Sequence, residues 1–268
     1  MLDNIRVNGF LSDKFCLLLI LSLLISSPLR SQETCIENVK DRLVCNVDMR
    51  GSRSEKYVLT YSSYNGLFRW NSSNDITGGI KTQLIYSMNG VNVSSIVVTE
   101  NGANLMSAVC NKYGEITYII LAGGATVKCQ YNNMHQLERW IFNDGSYDYV
   151  DSFEWDGRGD LVAIYHPNNR TDYFSYSNSP AYYMGLECDI YPIEPFTPGY
   201  NIQIGRLFAA GLLGARPNHE LTRVTQADGS VSVSYSYFYE GTRLSSITAH
   251  SYYYPNINES VTVSFTWQ

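Results

Sequence analysis

The sequence predicts a mainly β protein, an antiparallel meander in the form of a curved sheet, a sandwich or an incomplete barrel. Three observations predict it. Asn-Gly and Asp-Gly pairs recur along the chain, the runs between them alternate in polarity, and Tyr accounts for 22 of the 268 residues. Gly accepts a positive φ and Asn or Asp tolerates one, so these pairs favour tight hairpin turns with two-residue loops. Aromatic residues are in turn favoured in strands.

Candidate hairpin turns divide most of the chain into short strands. In the clearest strand, SVSVSYSYFY (230–239), Val and Tyr share one face and Ser the other. A helix would spread these serines around its whole circumference, so the period predicts a strand. The predicted turns are Asn65-Gly66, Asn89-Gly90, Asn101-Gly102, Asp144-Gly145, Asp156-Gly157 and Asp228-Gly229, with weaker signals at Gly123-Gly124 and Glu240-Gly241.

A recurrent spacing marks successive hairpins. An apolar or aromatic residue is followed six positions later by Leu or Ile, and three positions after that by Trp or Ile. The instances are Tyr61-Leu67-Trp70, Cys110-Ile116-Ile119, Tyr131-Leu137-Trp140, Trp155-Leu161-Ile164 and Phe238-Leu244-Ile247. The step of three would put two side chains on opposite faces of a regular strand. Either both faces are partly buried, or a bulge shifts the register.

One segment departs from the strand pattern. Residues 202–215 read IQIGRLFAAGLLGA, in which Ile204, Leu207, Phe208 and Leu212 fit one face of a helix, and Pro217 follows as a stop. We expect one short helix here, within a single β-rich domain over 57–268.

The N-terminal residues predict export. The apolar run FCLLLILSLLI (15–25) follows Arg6 and Lys14 and is followed by small serines. This order is that of a secretory signal peptide. We expect residues 1–31 to be removed, which leaves an N-terminal segment, 32–56, ahead of the β-rich domain. The predicted location is the periplasm, the outer-membrane surface or the extracellular space.

Export permits disulfides. Cys110 and Cys129 flank a predicted hairpin, and Cys35 and Cys45 are close in sequence. Either pair could form a disulfide, and buried thiols are the alternative, because a chain of this length can bury a core without covalent links. Lipid anchoring at Cys35 is poorly supported, because the polar residues Gln-Glu-Thr precede it where a lipidation motif needs small and apolar residues.

Composition and motifs argue against several functions. The net charge of −6 disfavours nucleic-acid binding, which needs clustered Lys and Arg. The chain contains no GxSxG, HExxH or Walker sequence and no zinc-type cysteine spacing. We therefore expect a non-enzymatic protein without a cofactor or a metal ion.

Acidic residues are concentrated in one stretch: Asp144, Asp148, Asp151, Glu154, Asp156 and Asp160. Two carboxylates could act as acid and base in glycoside hydrolysis, so a secreted hydrolase is an alternative function. Turn positions and solvated strand faces explain the same residues without catalysis. The stretch also contains an Arg-Gly-Asp tripeptide at 158–160, in a predicted turn.

Aromatic residues supply the candidate binding positions. Trp140, Trp155, Tyr173 and Tyr176 lie in or near an aromatic-rich stretch, and their rings could stack on sugars or anchor a protein partner. Aromatic side chains also simply fill strands. An unidentified glycan, peptide or protein is therefore the expected partner.

The hairpin spacing resembles the YD-type repeats of secreted bacterial proteins. Residues 57–248 also resemble an uncharacterised domain of exported Bacteroides-type envelope proteins, best in NIQIGRLFAAGLLG (201–214) and ELTRVTQADGSVSVSYSYFYEGTRLSSI (220–247). The resemblance implies a cell-envelope scaffold or binding protein and supplies no catalytic residues. An outer-membrane β-barrel is a further alternative, because SVTVSFTWQ (260–268) alternates and ends in aromatic residues.

Overall fold

The computed structural model describes residues 44–50, 54–64, 67–180, 212–241, 243–254 and 257–267, and this part of the chain is built from strands. Its sixteen strands are β1 (Val44–Arg50), β2 (Ser54–Tyr64), β3 (Leu67–Asp75), β4 (Lys81–Asn89), β5 (Asn92–Glu100), β6 (Ala103–Cys110), β7 (Ile116–Leu121), β8 (Thr126–Tyr131), β9 (Leu137–Asn143), β10 (Asp148–Trp155), β11 (Leu161–Tyr165), β12 (Thr171–Pro180), β13 (His219–Gln226), β14 (Val231–Glu240), β15 (Arg243–Tyr254) and β16 (Ile257–Trp267). The predicted antiparallel β fold is confirmed.

The strands follow one another in sequence order around a single sheet. Each pairs with its neighbours in the chain, and β1 pairs with both β2 and β16, so the sheet closes into a barrel. Strand β1 and the start of β2 belong to the segment 32–56 that the sequence separated from the main domain. Among the described residues, no helix is long and apolar enough to cross a membrane.

Hairpins of two classes connect the strands. In the shorter class, Asn101 and Gly102 both have positive φ, 48° and 84°, between the paired residues Glu100 and Ala103. This is the predicted primed turn. In the longer class, loops such as 156–160 have their positive φ at the fourth residue, here Gly159, where a type I turn leads into a bulge. The prediction of a two-residue turn at Asp156-Gly157 is therefore wrong, while Asn65-Gly66 lies outside the described residues.

A bulge near the start of the strand explains the odd step of three. Cys110 pairs with Ile116 but Val109 pairs with Tyr118, which leaves Thr117 as an extra residue. Ile116 and Ile119 consequently share the inner face, and both are fully buried. The same shift brings together the buried pairs Leu137 and Trp140, Leu161 and Ile164, and Leu244 and Ile247. Near Tyr61 and Leu67 the shift falls after Trp70 instead.

Aromatic side chains complete the hydrogen bonding where these strands begin. In four places the polar atom of an aromatic side chain on one strand donates to the carbonyl of the first or third residue of the preceding strand, and so helps to satisfy the backbone where that strand begins. The bonds are Tyr131 Oη to Ile116 O (2.7 Å), Trp155 Nε1 to Leu137 O (2.8 Å), Tyr176 Oη to Leu161 O (2.8 Å) and Tyr237 Oη to Leu221 O (2.7 Å). Part of the tyrosine surplus is therefore structural.

An apolar core lines the inner face of the described strands. Its largest fully buried side chains are Trp140, Ile96, Met106, Ile116, Ile119 and Leu137. They lie on the inner face of β5 to β9, where alternation with outward residues follows the strand period. The inner face in this part of the chain is a packed core.

The predicted helix falls mostly outside the described residues. Positions 202–211 lie outside the described residues, as do the predicted signal peptide and the cysteines Cys35 and Cys188. Positions 212–215 are not helical. Leu212 O accepts a hydrogen bond from Ile116 N (2.9 Å), and Ala215 N donates to His135 O (2.7 Å), so the backbone bonds across the barrel end instead of to itself.

Candidate functional site

A charged cluster occupies the inner face beside the apolar core. Asp151 on β10 is opposite Trp140, and Asp172 on β12 is opposite Ile164, so the strand register points both carboxylates into the barrel. His166 and Arg170 belong to the five-residue loop that joins β11 to β12. We refer to Asp151, His166, Arg170 and Asp172 as the His166 cluster.

Every titratable member of the His166 cluster contacts an opposite charge. His166 Nδ1 lies 2.6 Å from Asp151 Oδ1, and His166 Nε2 lies 3.1 Å from Asp172 Oδ2. The Arg170 guanidinium binds Asp172 with two nitrogens, Nε to Oδ1 at 3.2 Å and Nη2 to Oδ2 at 2.6 Å. The side chains of His166, Asp151 and Asp172 are at most 6% exposed. With His166 protonated, two positive and two negative groups balance.

Burial and pairing act on these groups in opposite directions. Burial lowers the pKa of His166, but the hydrogen bonds that its ring donates to Asp151 and Asp172 outweigh burial, and the pKa lies above its usual value. Burial raises the pKa of Asp172, yet the hydrogen bonds from His166 and Arg170 prevail and hold it below the ordinary value. The charged forms are therefore the ones that the fold stabilises.

The geometry of the His166 cluster favours a structural role. A general base needs a nitrogen that can reach a substrate proton. Both ring nitrogens of His166 face carboxylates, and Asp172 is held by two partners. No group of three or more His, Cys, Asp or Glu side chains within the described ranges is arranged to hold a metal ion.

The predicted acidic stretch does not form one site. Asp144 and Asp148 lie at an exposed loop, where Asp144 accepts bonds from Ser146 N and Tyr147 N that hold its pKa below the usual value. Glu154 points outward and binds Tyr165 Oη. Asp156 shapes its own turn by accepting from Arg158 N and Asp160 N. Asp151 and Asp160 are buried in two different clusters.

Asp160 anchors a segment across one end of the barrel, residues 212–219, which we call the strap. The Asp160 carboxylate is fully buried and accepts bonds from Asn218 N (2.9 Å), His219 N (3.0 Å) and His219 Nδ1 (2.8 Å). Asn218 Nδ2 also donates to Arg158 O at 2.5 Å. The Arg-Gly-Asp tripeptide therefore presents no accessible carboxylate.

The strap fits closely over the neighbouring hairpins. Leu212 and Leu213 are buried in the core. Gly214 has a φ of +85°, and an added Cβ there would collide with His135 O and the Tyr131 ring, so only glycine fits. His135 in turn contacts Glu115 through Nδ1 and Oε1 at 2.7 Å. The sequence analysis did not predict the strap, because Asp160 and its partners Asn218 and His219 are 58 and 59 positions apart in the chain.

The four predicted aromatic binding residues occupy different environments. Trp140 is fully buried in the core, and Trp155 and Tyr176 are partly buried with their polar atoms bonded to backbone carbonyls. Tyr173 is 41% exposed on the outer face. The structure therefore leaves Tyr173 accessible to a ligand and engages the other three in packing.

Cys110 and Cys129 are thiols in the structure, and burial raises the pKa of Cys129. They lie on β6 and β8, with β7 between them. Two strand spacings amount to about 9.6 Å, whereas bridged Cα atoms are usually less than about 7 Å apart. A disulfide here would need backbone movement, and the pairing stays a prediction.

The outer face differs between the two halves of the barrel. On β4 to β7 it carries an aliphatic band, defined here as Ile85, Val97, Val109 and Ile120, of which Ile85, Val109 and Ile120 are about half exposed. On β14 to β16 the outward positions include a row of Ser and Thr, in which Ser236 is opposite Thr248 and Thr248 is opposite Thr262, and Phe238 is exposed on the same face of β14. The sequence contained a signal for this band. In Leu84-Ile85-Tyr86 an apolar residue, Ile85, lies between two residues that point inward, so strand alternation puts it on the outer face.

Comparisons with known proteins show a likeness of fold. A crystal structure of a porin-like protein from Bacteroides uniformis matches with a TM-score of 0.57 at 14% identity, over 84% of this chain and 98% of that one. A porin-like protein from Bacteroides vulgatus matches with a TM-score of 0.49 at 12% identity, over 85% and 99% of the two chains. No protein-family profile and no curated protein matches this sequence. At 14% identity and a TM-score of 0.57, the likeness to the first protein shows a shared fold alone, and the YD-type resemblance stays a prediction.

Proposed function

We propose that the protein is an exported, non-enzymatic scaffold of the cell envelope that binds a partner protein through the outer face of its barrel. The aliphatic band carries this proposal. Ile85 is opposite Val97, and Val109 and Ile120 lie on the two strands beyond, with Ser107 opposite both Val97 and Ile120. Ile85, Val109 and Ile120 are about half exposed, and a cluster of exposed aliphatic side chains is of the kind that marks protein interaction sites.

The packed interior supports the same function. The described inner face holds apolar side chains and the paired charges of the His166 cluster, and the strap covers one end. Along β4 to β15, most of whose side chains the structure describes, a ligand therefore meets the outer surface or the hairpin loops. The dispersal of the acidic stretch gives the hydrolase alternative no geometric support. The first structural neighbour, a porin-like Bacteroides protein, is consistent with an envelope location.

The outer face also favours a scaffold over an outer-membrane barrel. A lipid-facing surface needs an apolar band about 25 Å tall around the barrel. Here Lys128 and Glu154 are exposed on the outer positions of β8 and β10, and the hydroxyl side chains Ser236, Thr248 and Thr262 follow one another across β14 to β16.

Site-specific photo-crosslinking tests the proposed function. A photoreactive amino acid at position 120 should give a covalent adduct of one defined mass in the cells that naturally produce the protein. The same amino acid at Ser236, on the Ser/Thr face, should not. Val109→Asp should weaken the adduct from position 120 without changing thermal unfolding. Equal adducts from both positions, or none from either, would contradict the proposal.

A further inference from the structure

A second outward-facing surface lies on β10 to β12, next to the aliphatic half of the barrel. Glu154 is opposite Ala163, and Ala163 is opposite Tyr173. Tyr165 lies two residues beyond Ala163 on the same face of β11. We refer to Glu154, Tyr165 and Tyr173 as the tyrosine platform.

The tyrosine platform combines accessible rings with a fixed geometry. Tyr165 and Tyr173 are 42% and 41% exposed, whereas Ala163 between Glu154 and Tyr173 is only 1% exposed, so the larger side chains cover it. Tyr165 Oη donates to Glu154 Oε2, which orients the Tyr165 ring and raises its pKa. Two rings and a carboxylate therefore stand together above a small residue.

We infer that the tyrosine platform binds neutral glycans. The inference rests on the proposed function and names a ligand for a second surface of the same scaffold. Aromatic faces stack on the apolar face of a pyranose ring, and a carboxylate accepts hydrogen bonds from sugar hydroxyls. Glu154 and the net charge of −6 both disfavour an acidic sugar. Ser152, opposite Tyr165, adds a small hydroxyl at the edge.

Binding of defined oligosaccharides to the chain from residue 32 tests the inference. The panel is maltohexaose, cellohexaose and mannohexaose, with hexagalacturonate as the acidic control. At least one neutral hexasaccharide should bind, and Tyr173→Ala should weaken its affinity about tenfold or more, because a stacking contact is lost. Tyr165→Phe keeps the ring but loses the bond to Glu154, so the loss should be smaller.

Phe238→Ala is the matched control, since Phe238 is an exposed aromatic residue, 62% accessible, on the outer face of β14. It should leave the affinity unchanged. Failure of every neutral hexasaccharide to bind at millimolar concentration, preferential binding of hexagalacturonate, or an equal loss in Phe238→Ala would overturn the inference. The photo-crosslink from position 120 would be unaffected by that failure, so the two proposals fail separately.

Discussion

Two regions of the same inner face are held together by different forces. Around Trp140 on β9 the interior is apolar, and its stability comes from removing side chains from water. One strand further along, Asp151 is opposite Trp140, and the interior becomes a set of paired charges centred on His166. The comparison shows that the inner face of one sheet accommodates both an apolar core and a cluster of paired charges. Only the charged region should make the free energy of unfolding depend on pH.

The largest effect should come from opening the apolar region. Trp140→Ala removes a fully buried indole, and a large-to-small change of this kind costs about 3–5 kcal/mol of unfolding free energy. The loss should be the same at pH 6 and pH 8.5, as measured by urea unfolding. Tyr147→Ala, at a loop position that is 69% exposed, is the control and should be close to neutral.

Breaking the charged region should cost nearly as much. Asp172→Asn leaves His166 and Arg170 without their shared carboxylate, and removing one partner of a buried ion pair costs about 3–5 kcal/mol. Denaturant unfolding measures the change. Asp148→Asn removes an exposed carboxylate of the same acidic stretch and should leave stability near the wild-type value. Equal stability of the two variants would show that the cluster does not hold the fold.

The pH dependence separates the two regions directly. Because the folded pKa of His166 is raised, its stabilisation is complete below the unfolded pKa of about 6.5 and is lost as pH rises through the folded value. Between pH 6 and pH 9 the wild type should therefore lose stability, and His166→Gln should flatten that slope. His250→Gln, which removes an outer-face histidine bonded to Ser260, should keep it. A wild-type profile without any slope in this window would refute the assignment.

The smallest effect on stability should come from removing one of the hydrogen bonds that aromatic side chains donate to backbone carbonyls of the sheet. Tyr176→Phe keeps the ring and removes the bond from Oη to Leu161 O, which costs about 1 kcal/mol. Tyr173→Phe alters an outward hydroxyl on the same strand and should not change the melting temperature. A difference between the two variants in thermal unfolding would distinguish the structural tyrosines from the exposed ones.

Local chemistry made much of the fold predictable. Asn101-Gly102 predicted a hairpin turn, because Asn and Gly are the residues that most readily adopt the positive φ found at both positions. The alternation of polarity in 230–239 predicted a strand. The spacing of Leu161 and Ile164 marked a hairpin, but only the pairing with β10 decided that a bulge puts both inside. Closure of the sheet into a barrel could not be predicted, because it depends on pairing between β1 and β16, the first and last strands along the chain.

The clusters were less predictable than the strands. Asp151, Asp160 and Glu154 are neighbours in sequence and looked like one acidic group. One is paired with His166, one with His219, and one with Tyr165 on the outer face, since strand alternation and hairpin tips send them apart. Tyr173 could be singled out as an aromatic residue, but its exposure, in contrast to Tyr176, follows from which face of β12 it occupies.

The reactivity of Cys129 tests most directly whether the inner face of the barrel is a packed core, so that ligands bind on the outer face. Cys129 lies on the inner face opposite Trp140, is 6% exposed, and has a pKa raised by burial. After reduction, labelling by a water-soluble maleimide, read by peptide mass spectrometry, should be negligible in the native protein and appear only on unfolding. Labelling of the native protein as fast as of the urea-unfolded chain would place water inside the barrel and contradict the account.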